Sequence, residues 1–287
     1  TPVQRLMNMI RPAYELYKAR RIDLEKEWLQ VSVCAQHNNG GLYADRWWQS
    51  NIRCLFTVGE VCGNFGVYRP GGSALNATQV GSLRAAQYIS RNGQEPQMDW
   101  ERFLQLSQSH MDEVIFAGLR LLEKGQGKKK PLELRKRYQR EMDEAAAFIR
   151  EEKGICRQIQ RCRAYIADFY QETLAETPRE LTDAWINYDI LHTQLVYLTG
   201  MLVYIQEKGK SRGSYMIAGE DFRFNEVKET GIRTQLDQGE RAELIQICYL
   251  RQGQVVVENR QRKPLPDGKV WFETVYNDCL QDAVIGQ

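Results

Sequence analysis

Leu55-Phe-Thr-Val-Gly-Glu-Val-Cys-Gly-Asn-Phe-Gly-Val-Tyr-Arg-Pro-Gly-Gly-Ser-Ala-Leu-Asn-Ala-Thr-Gln-Val-Gly81 is the stretch whose reading decides the fold. Cys54 to Glu60 reads as a short strand, apolar enough to be covered on both faces. A loop crowded with Gly63, Gly66, Gly71 and Gly72 follows, and a helix is expected from about Ser73, through Val80, Leu83, Ala86 and Ile89, to a stop at Asn92-Gly93. Glycines let a backbone approach a ligand closely, and a helix start offers unpaired N–H groups with partial positive charge. That combination suits an electron-rich group lying against the chain.

Just upstream stands Gln36-His-Asn-Asn-Gly-Gly-Leu42. A histidine on a glycine-rich turn can hold a carboxylate or carbonyl when protonated, and Gly40 and Gly41 allow close passage of a flat ring. Arg69, just before the helix, carries a planar fork that grips a carboxylate in two parallel bonds and stays charged at working pH. Taken in order, Gln36 to Leu42, Gly59-Glu60 followed by Arg69-Pro-Gly-Gly-Ser-Ala-Leu75, and Ser211-Arg-Gly-Ser-Tyr215 resemble motifs in the C-terminal half of the flavoprotein subunit of succinate dehydrogenase and fumarate reductase. That family also includes L-aspartate oxidase and adenylylsulfate reductase.

The resemblance covers most of residues 1 to 225 and implies several roles. Arg69, together with His37 or Gln36, would orient the substrate acid; the family's His-x-x-x-Gly-Gly spacing is one residue longer than that from His37, and Gln36 occupies the matching register, so the resemblance leaves open which of the two faces the pocket. Gly40, Gly41, Gly59 and Glu60 would hold the cofactor FAD, with Glu60 near its ribityl hydroxyls. Gly71, Gly72, Ser73, Ala74 and Leu75 would face the ring. Arg212 would lie near the flavin domain, as a brace or as a ligand contact. The proton-delivering arginine of the family's capping domain has no counterpart here.

Such an enzyme should open with a strand, Gly-x-Gly-x-x-Gly and a helix that receives the pyrophosphate. This sequence has none, since Gly125-Gln-Gly127 is followed by three lysines and no buried strand precedes it. The chain therefore reads as the carboxyl half of a larger flavoprotein that would retain FAD poorly and turn over little on its own.

Composition narrows the remaining classes. The 39 basic and 37 acidic residues nearly balance, which gives no electrostatic case for nucleic acid or an anionic membrane surface. The longest apolar stretches, such as Leu195 to Ile205, are too short to span a bilayer, and a cytoplasmic location is expected. Seven scattered cysteines without a Cys-x-x-Cys pair signal neither zinc nor an iron–sulfur cluster, so electron relay would need a separate iron–sulfur subunit or a soluble partner. The expected small molecule is a dicarboxylate or keto acid.

The fold class expected is α+β and mostly helical. Residues 1–33 would be the tail of a capping domain and 34–95 the C-terminal part of the FAD-binding α/β domain. An antiparallel helical bundle would fill 96–210, and a small α+β segment 211–287. Pro2 sits where a first helix begins. In the bundle, apolar positions recur at helical spacing from Trp100 to Leu122, Leu134 to Ile149 and Ile155 to Tyr170. A fourth helix opens at Thr177-Pro-Arg-Glu180, with Thr as N-cap and Pro at the first helical position. Lys128 to Lys130 reads as a solvated loop, Trp47 and Trp48 as packing, and His110 and His192 as surface or packing residues. Leu244 to Leu250 and Gln254 to Glu258 predict a hairpin about Arg251-Gln-Gly253, and Val270 to Tyr276 a further strand. Two rivals remain: a helical scaffold or interaction module, and a general nucleotide site, though the loop lacks a Gly-Lys-Ser/Thr ending.

Overall fold

The computed structural model describes residues 1–30, 40–63, 65, 72–93, 98–125, 127–219, 232–262 and 277. It divides into two compact units, residues 1–38 and 39–287. With 57% helix and only small sheets, the chain is α+β and mostly helical.

In the first unit, α1 (Pro2–Ala19) starts at Thr1. The Thr1 hydroxyl accepts from the Gln4 amide, Gln4 accepts from the chain amino group, and Pro2 occupies the first turn, where its missing N–H costs nothing. Pro12 lies inside the helix, and the chain kinks at Ile10 because the proline ring crowds the preceding turn.

The second unit contains α2 (Ser73–Asn92), α3 (Trp100–Leu122), α4 (Pro131–Ala146), β1 (Ile149–Arg150), α5 (Glu152–Ala167), the single turn α6 (Phe169–Glu172) and α7 (Pro178–Gln206). The strands β2 (Met216–Ile217), β3 (Leu244–Arg251) and β4 (Gln254–Gln261) follow. The 29-residue α7 is the spine, and its cap is as expected, with the Thr177 hydroxyl accepting from the Glu180 amide. Its upper half places Ala184 and Leu191 with Leu121, Leu134, Tyr138 and Phe169 in one buried cluster. Its lower half places Leu195 and Leu198 with Ala146, Ile155, Ile159 and Cys162 in a second.

Buried polar groups fix the register of α4 on α7. Asn187, fully buried, donates to the Pro131 carbonyl at 2.7 Å and accepts from Arg135 Nε at 2.8 Å, while Arg135 also pairs with Asp183 at 2.9 Å. Gln194 reaches the Tyr138 carbonyl and accepts from the Cys162 thiol. Each such bond is worth about 1 kcal/mol net, but more than that is lost when one partner alone is removed.

The lysine run lies in an exposed loop, as expected, and its side chains also make contacts there. Lys128 donates to the Arg120 and Glu123 carbonyls at the end of α3, where a cation meets the negative end of the helix. Lys130 joins Glu176 at 2.5 Å and Glu180 at 3.1 Å, so the run staples the end of α3 and the start of α4 to the start of α7.

β1 pairs in parallel with β2, which brings the chain after α7 back to the α4–α5 junction. β3 and β4 form the expected hairpin, with Gln252 and Gly253 both at positive φ in a two-residue turn. The hairpin seats on α7 at Gly200, where a Cβ would lie 2.9 Å from both Cys248 Sγ and Gln246 Oε1. The strand expected at Val270 to Tyr276 lies outside the described residues.

Candidate functional site

The expected strand Cys54 to Glu60 is reduced to one bridge, Phe56 to Gln49, followed by a 3-10 turn over Gly59–Cys62. A parallel strand is made by its neighbours, and Gln49 is the ladder partner this segment has among the described residues. Glu60 thus sits in a tight turn and not at a strand end, with its side chain exposed to solvent. Its carbonyl accepts from the Gly63 amide at 2.9 Å, which closes the turn.

Against that turn lies the double glycine. Gly40 donates to the Gly63 carbonyl at 3.1 Å, and Leu42 to the Val61 carbonyl at 2.8 Å. The two chains touch so closely that a Cβ on Gly63 would stand 2.0 Å from the Gly40 carbonyl carbon, and one on Gly41 would stand 2.2 Å from the Val61 oxygen. Gly41 and Gly63 are therefore required for packing. Gly40 differs: its φ is +128°, and among the described residues nothing lies within 4 Å of where a Cβ would project. Its turn is tight on one side and open on the other.

α2 is positioned by small residues. Gly59, at φ +77°, has Thr78 of α2 at 3.4 Å from its missing Cβ, and Gly81 lets the Trp48 ring reach within 2.6 Å of where its own would be. Trp47 is buried between the Arg46 and Arg84 guanidinium groups, 5.4 and 4.6 Å from its ring centroid, with Tyr88 alongside at 5.6 Å. The two tryptophans are thus packing residues, as read.

The start of α2 is the other open element. Gly72 is the N-cap at φ +83°, no side chain caps the turn, and no acidic residue stands in it. Among the described residues nothing lies within 4 Å of where a Gly72 Cβ would project, Ser73 and Ala74 are half-buried, and Leu75 is 68% exposed. The helix ends at Asn92 with Gly93 as C-cap, as expected. Its buried face is Gly81 and Ala85, whereas Val80, Leu83 and Ile89 face solvent.

Of the candidate residues, Gly40, Gly41, Gly59, Glu60, Gly72, Ser73, Ala74 and Leu75 are described, and the first four converge on the turn at Gly63. Gln36, His37, Arg69 and Gly71 lie outside the described residues. Burial raises the pKa of the nearby Cys62 thiol, with the Thr57 hydroxyl acting in the opposite direction, so it stays protonated at neutral pH.

Arg212 pairs with the largely buried Asp237 at 3.6 Å, and Ser211 accepts from the Ile217 amide and bonds Thr234. This supports a bracing role for the Ser-Arg-Gly segment. His192 bonds the Tyr188 carbonyl and packs on that ring, and His110 is exposed beside Glu113.

Two concavities, of about 590 Å³ beside Cys156 and about 310 Å³ beside Tyr14, are not lined by cradle residues. The cradle is the close backbone contact of Gly40 to Leu42 with Val61 and Gly63. Among the described residues there is no group of three or more His, Cys, Asp or Glu that could hold a metal ion, and no helix long and apolar enough to cross a membrane. Sequence reasoning gave no weight to Tyr197, whose hydroxyl reaches the Gly40 carbonyl at 3.4 Å from 157 residues away in the chain. No local pattern could have signalled it.

The fold is similar to solved structures of succinate dehydrogenase and fumarate reductase. Sdh1 of Mycobacterium smegmatis in complex with UQ1 matches 98% of this chain and 45% of its own, with a TM-score of 0.64 and 16% identity. A quinol-fumarate reductase with menaquinol molecules matches 92% and 44%, with a TM-score of 0.69 and 18% identity. The chain thus spans less than half the length of these structures. In sequence it is similar to one subunit of the fumarate reductase (CoM/CoB) of Methanothermobacter marburgensis, 39% identical over 72 residues, which are 25% of this chain and 13% of that protein. No family model matches the chain.

Proposed function

We propose that the chain is the C-terminal portion of an FAD-dependent oxidoreductase of the succinate dehydrogenase and fumarate reductase type, acting on a substrate that bears a carboxylate. The structural observation behind this reading is the start of α2, where Gly72 is the N-cap at positive φ and no acidic residue stands in the first turn. The sequence match to a fumarate reductase subunit supports it from an independent direction.

On this reading the flavin end of FAD would lie beside the Gly40–Gly41 turn and the start of α2, where glycine leaves the backbone without a side chain. FAD, when bound, supplies the two-electron carrier that exchanges hydride with the substrate carbon. The chain's own residues bind and orient. Gly40 and Gly41 bring backbone near the ring plane, and Gly59 and Glu60 take the polyol, with the Glu60 carboxylate accepting from hydroxyls. Gly71, Gly72, Ser73, Ala74 and Leu75 turn the positive end of the α2 dipole toward negative charge, an effect of about 0.3–1 kcal/mol at a surface and up to ~2 when partly buried. Arg69 grips one carboxylate of a dicarboxylate or keto acid, and His37 or Gln36 holds the other polar end.

On this reading residues 1–33 belong to a capping domain, 34–95 to the FAD domain, 96–210 to a helical bundle and 211–287 to a small α+β segment. The chain alone holds FAD weakly. Electrons pass to a separate iron–sulfur subunit or soluble partner, and the protein is cytoplasmic or peripheral to a membrane through its partners. The test is to purify the product of the full reading frame and titrate it anaerobically with a dicarboxylate. Flavin absorbance that bleaches, and an Arg69→Ala variant at least about tenfold slower, are expected. A colourless product that takes up no FAD would overturn the reading in favour of a scaffold.

A further inference from the structure

We infer that Tyr197 of α7 is a positioning residue for the double-glycine turn, locking the Gly40–Gly41 peptide in the orientation that keeps the open side of Gly40 toward the bound group; the inference rests on the flavoprotein reading above. A peptide between two glycines has no Cβ on either side to penalise rotation of its plane, so the chain itself does not choose between orientations. Two contacts choose here. The Gly40 carbonyl is pressed against Gly63, where a Cβ would lie 2.1 Å from its oxygen, and that oxygen accepts from the Tyr197 hydroxyl at 3.4 Å. If the plane turned over, the carbonyl would leave both neighbours, and the tyrosine, half-buried beside Cys248, would lose an acceptor that water replaces poorly.

The remote origin of the hydroxyl matters. The double-glycine turn is held on its near side by the bonds to Gly63 and Val61, which belong to the same local segment and move with it. Tyr197 stands on α7, between the buried Leu195 and Leu198 of the helical core, and so refers the turn to the most firmly packed part of the chain. Burial, and to a lesser extent Cys248, raise the Tyr197 pKa, which keeps the hydroxyl a donor across the neutral range.

The test uses Tyr197→Phe in the full-length protein and two readouts. In the first, amide hydrogen exchange is expected to quicken roughly three- to tenfold at Gly40 and Leu42, the size of one lost hydrogen bond, while the melting temperature stays within a degree or so of the parent. Unchanged exchange at those amides would overturn the inference whether or not flavin is bound. In the second, FAD affinity is expected to fall by a similar factor and the flavin absorbance band to shift. Exchange that quickens with neither affinity nor spectrum altered would overturn the link to the cofactor. A parent protein that binds no FAD would sink the flavoprotein reading, while the exchange measurement would still decide whether Tyr197 anchors the turn.

Discussion

The helical core around α7 and the glycine cradle with α2 are built from opposite materials. In α4, α5 and α7 many of the apolar positions that recur at helical spacing are buried: Leu134, Tyr138, Ile155, Ile159, Leu191, Leu195 and Leu198 are all under 9% exposed, whereas in α3 Phe103, Ile115 and Leu119 are 46–58% exposed. In α2 the large apolar residues Leu75, Val80, Leu83 and Ile89 are 47–68% exposed, and the helix is held through Gly81 and Ala85. A periodic apolar pattern therefore says that a face wants covering, not what covers it. The core satisfies its pattern internally, whereas α2 holds one face on tryptophan and leaves the other available.

The widest separation between the regions should appear on truncating a leucine in each. Leu198→Ala is expected to cost about 2–5 kcal/mol in urea unfolding, because a fully buried side chain leaves a cavity. Leu83→Ala in the same chain is expected to stay within about 0.5 kcal/mol. Equal costs would erase the contrast.

Next, Asn187→Ala should cost about 1–3 kcal/mol, since it leaves the Pro131 carbonyl and the Arg135 guanidinium each short of a partner. Asn187→Asp tests the same point: it keeps the acceptor for Arg135 but removes the donor to Pro131, and should recover part of the loss.

Alkali should also separate the regions. Burial pushes the Tyr138 hydroxyl from 10.0 up to about 12 and the Cys162 thiol from 9.0 up to about 11. Both groups are neutral when folded and ionise more easily when unfolded. Their contribution is complete below the unfolded values and is lost as pH rises through the folded ones. Melting temperature should therefore fall between about pH 9 and 12, and Cys162→Ala should flatten the earlier part of that fall once its own cavity cost is subtracted. The smallest effect belongs to the hairpin, where Gln252 stands at φ +51°. Gln252→Asn should raise stability by up to about 1 kcal/mol, because asparagine tolerates the left-handed region better.

What was legible in the sequence follows the same division. Helix ends were readable where the signal is local chemistry: Thr1 with Pro2, Thr177 with Pro178, and Ser73 to Asn92 between two glycines all fall where the residues placed them. The hairpin at Gln252-Gly253 was likewise carried by its turn. The strand at Cys54 to Glu60 was not, because a strand is a property of its neighbours, and an apolar run cannot report whether they are present. The lysine run was readable as an exposed loop, but not its contacts: a cation's role depends on which helix end comes near it, and the Arg120 and Glu123 carbonyls reach Lys128 only after folding. The Gly40 to Gly63 contact was foreshadowed by composition, yet which glycines pack and which stay open is decided across the turn.

Gly200 sits midway in this contrast. The missing Cβ lets the Cys248 and Gln246 side chains approach α7, alongside the bonds from Asn259 and Arg241 to Glu207 and the packing of Val255 on the core. Any larger residue there would loosen the mooring while the helix and the hairpin each kept their own internal bonds. The C-terminal ribbon is thus moored at several points, and the fit at Gly200 is the one that a single substitution alters without breaking either piece's own bonds.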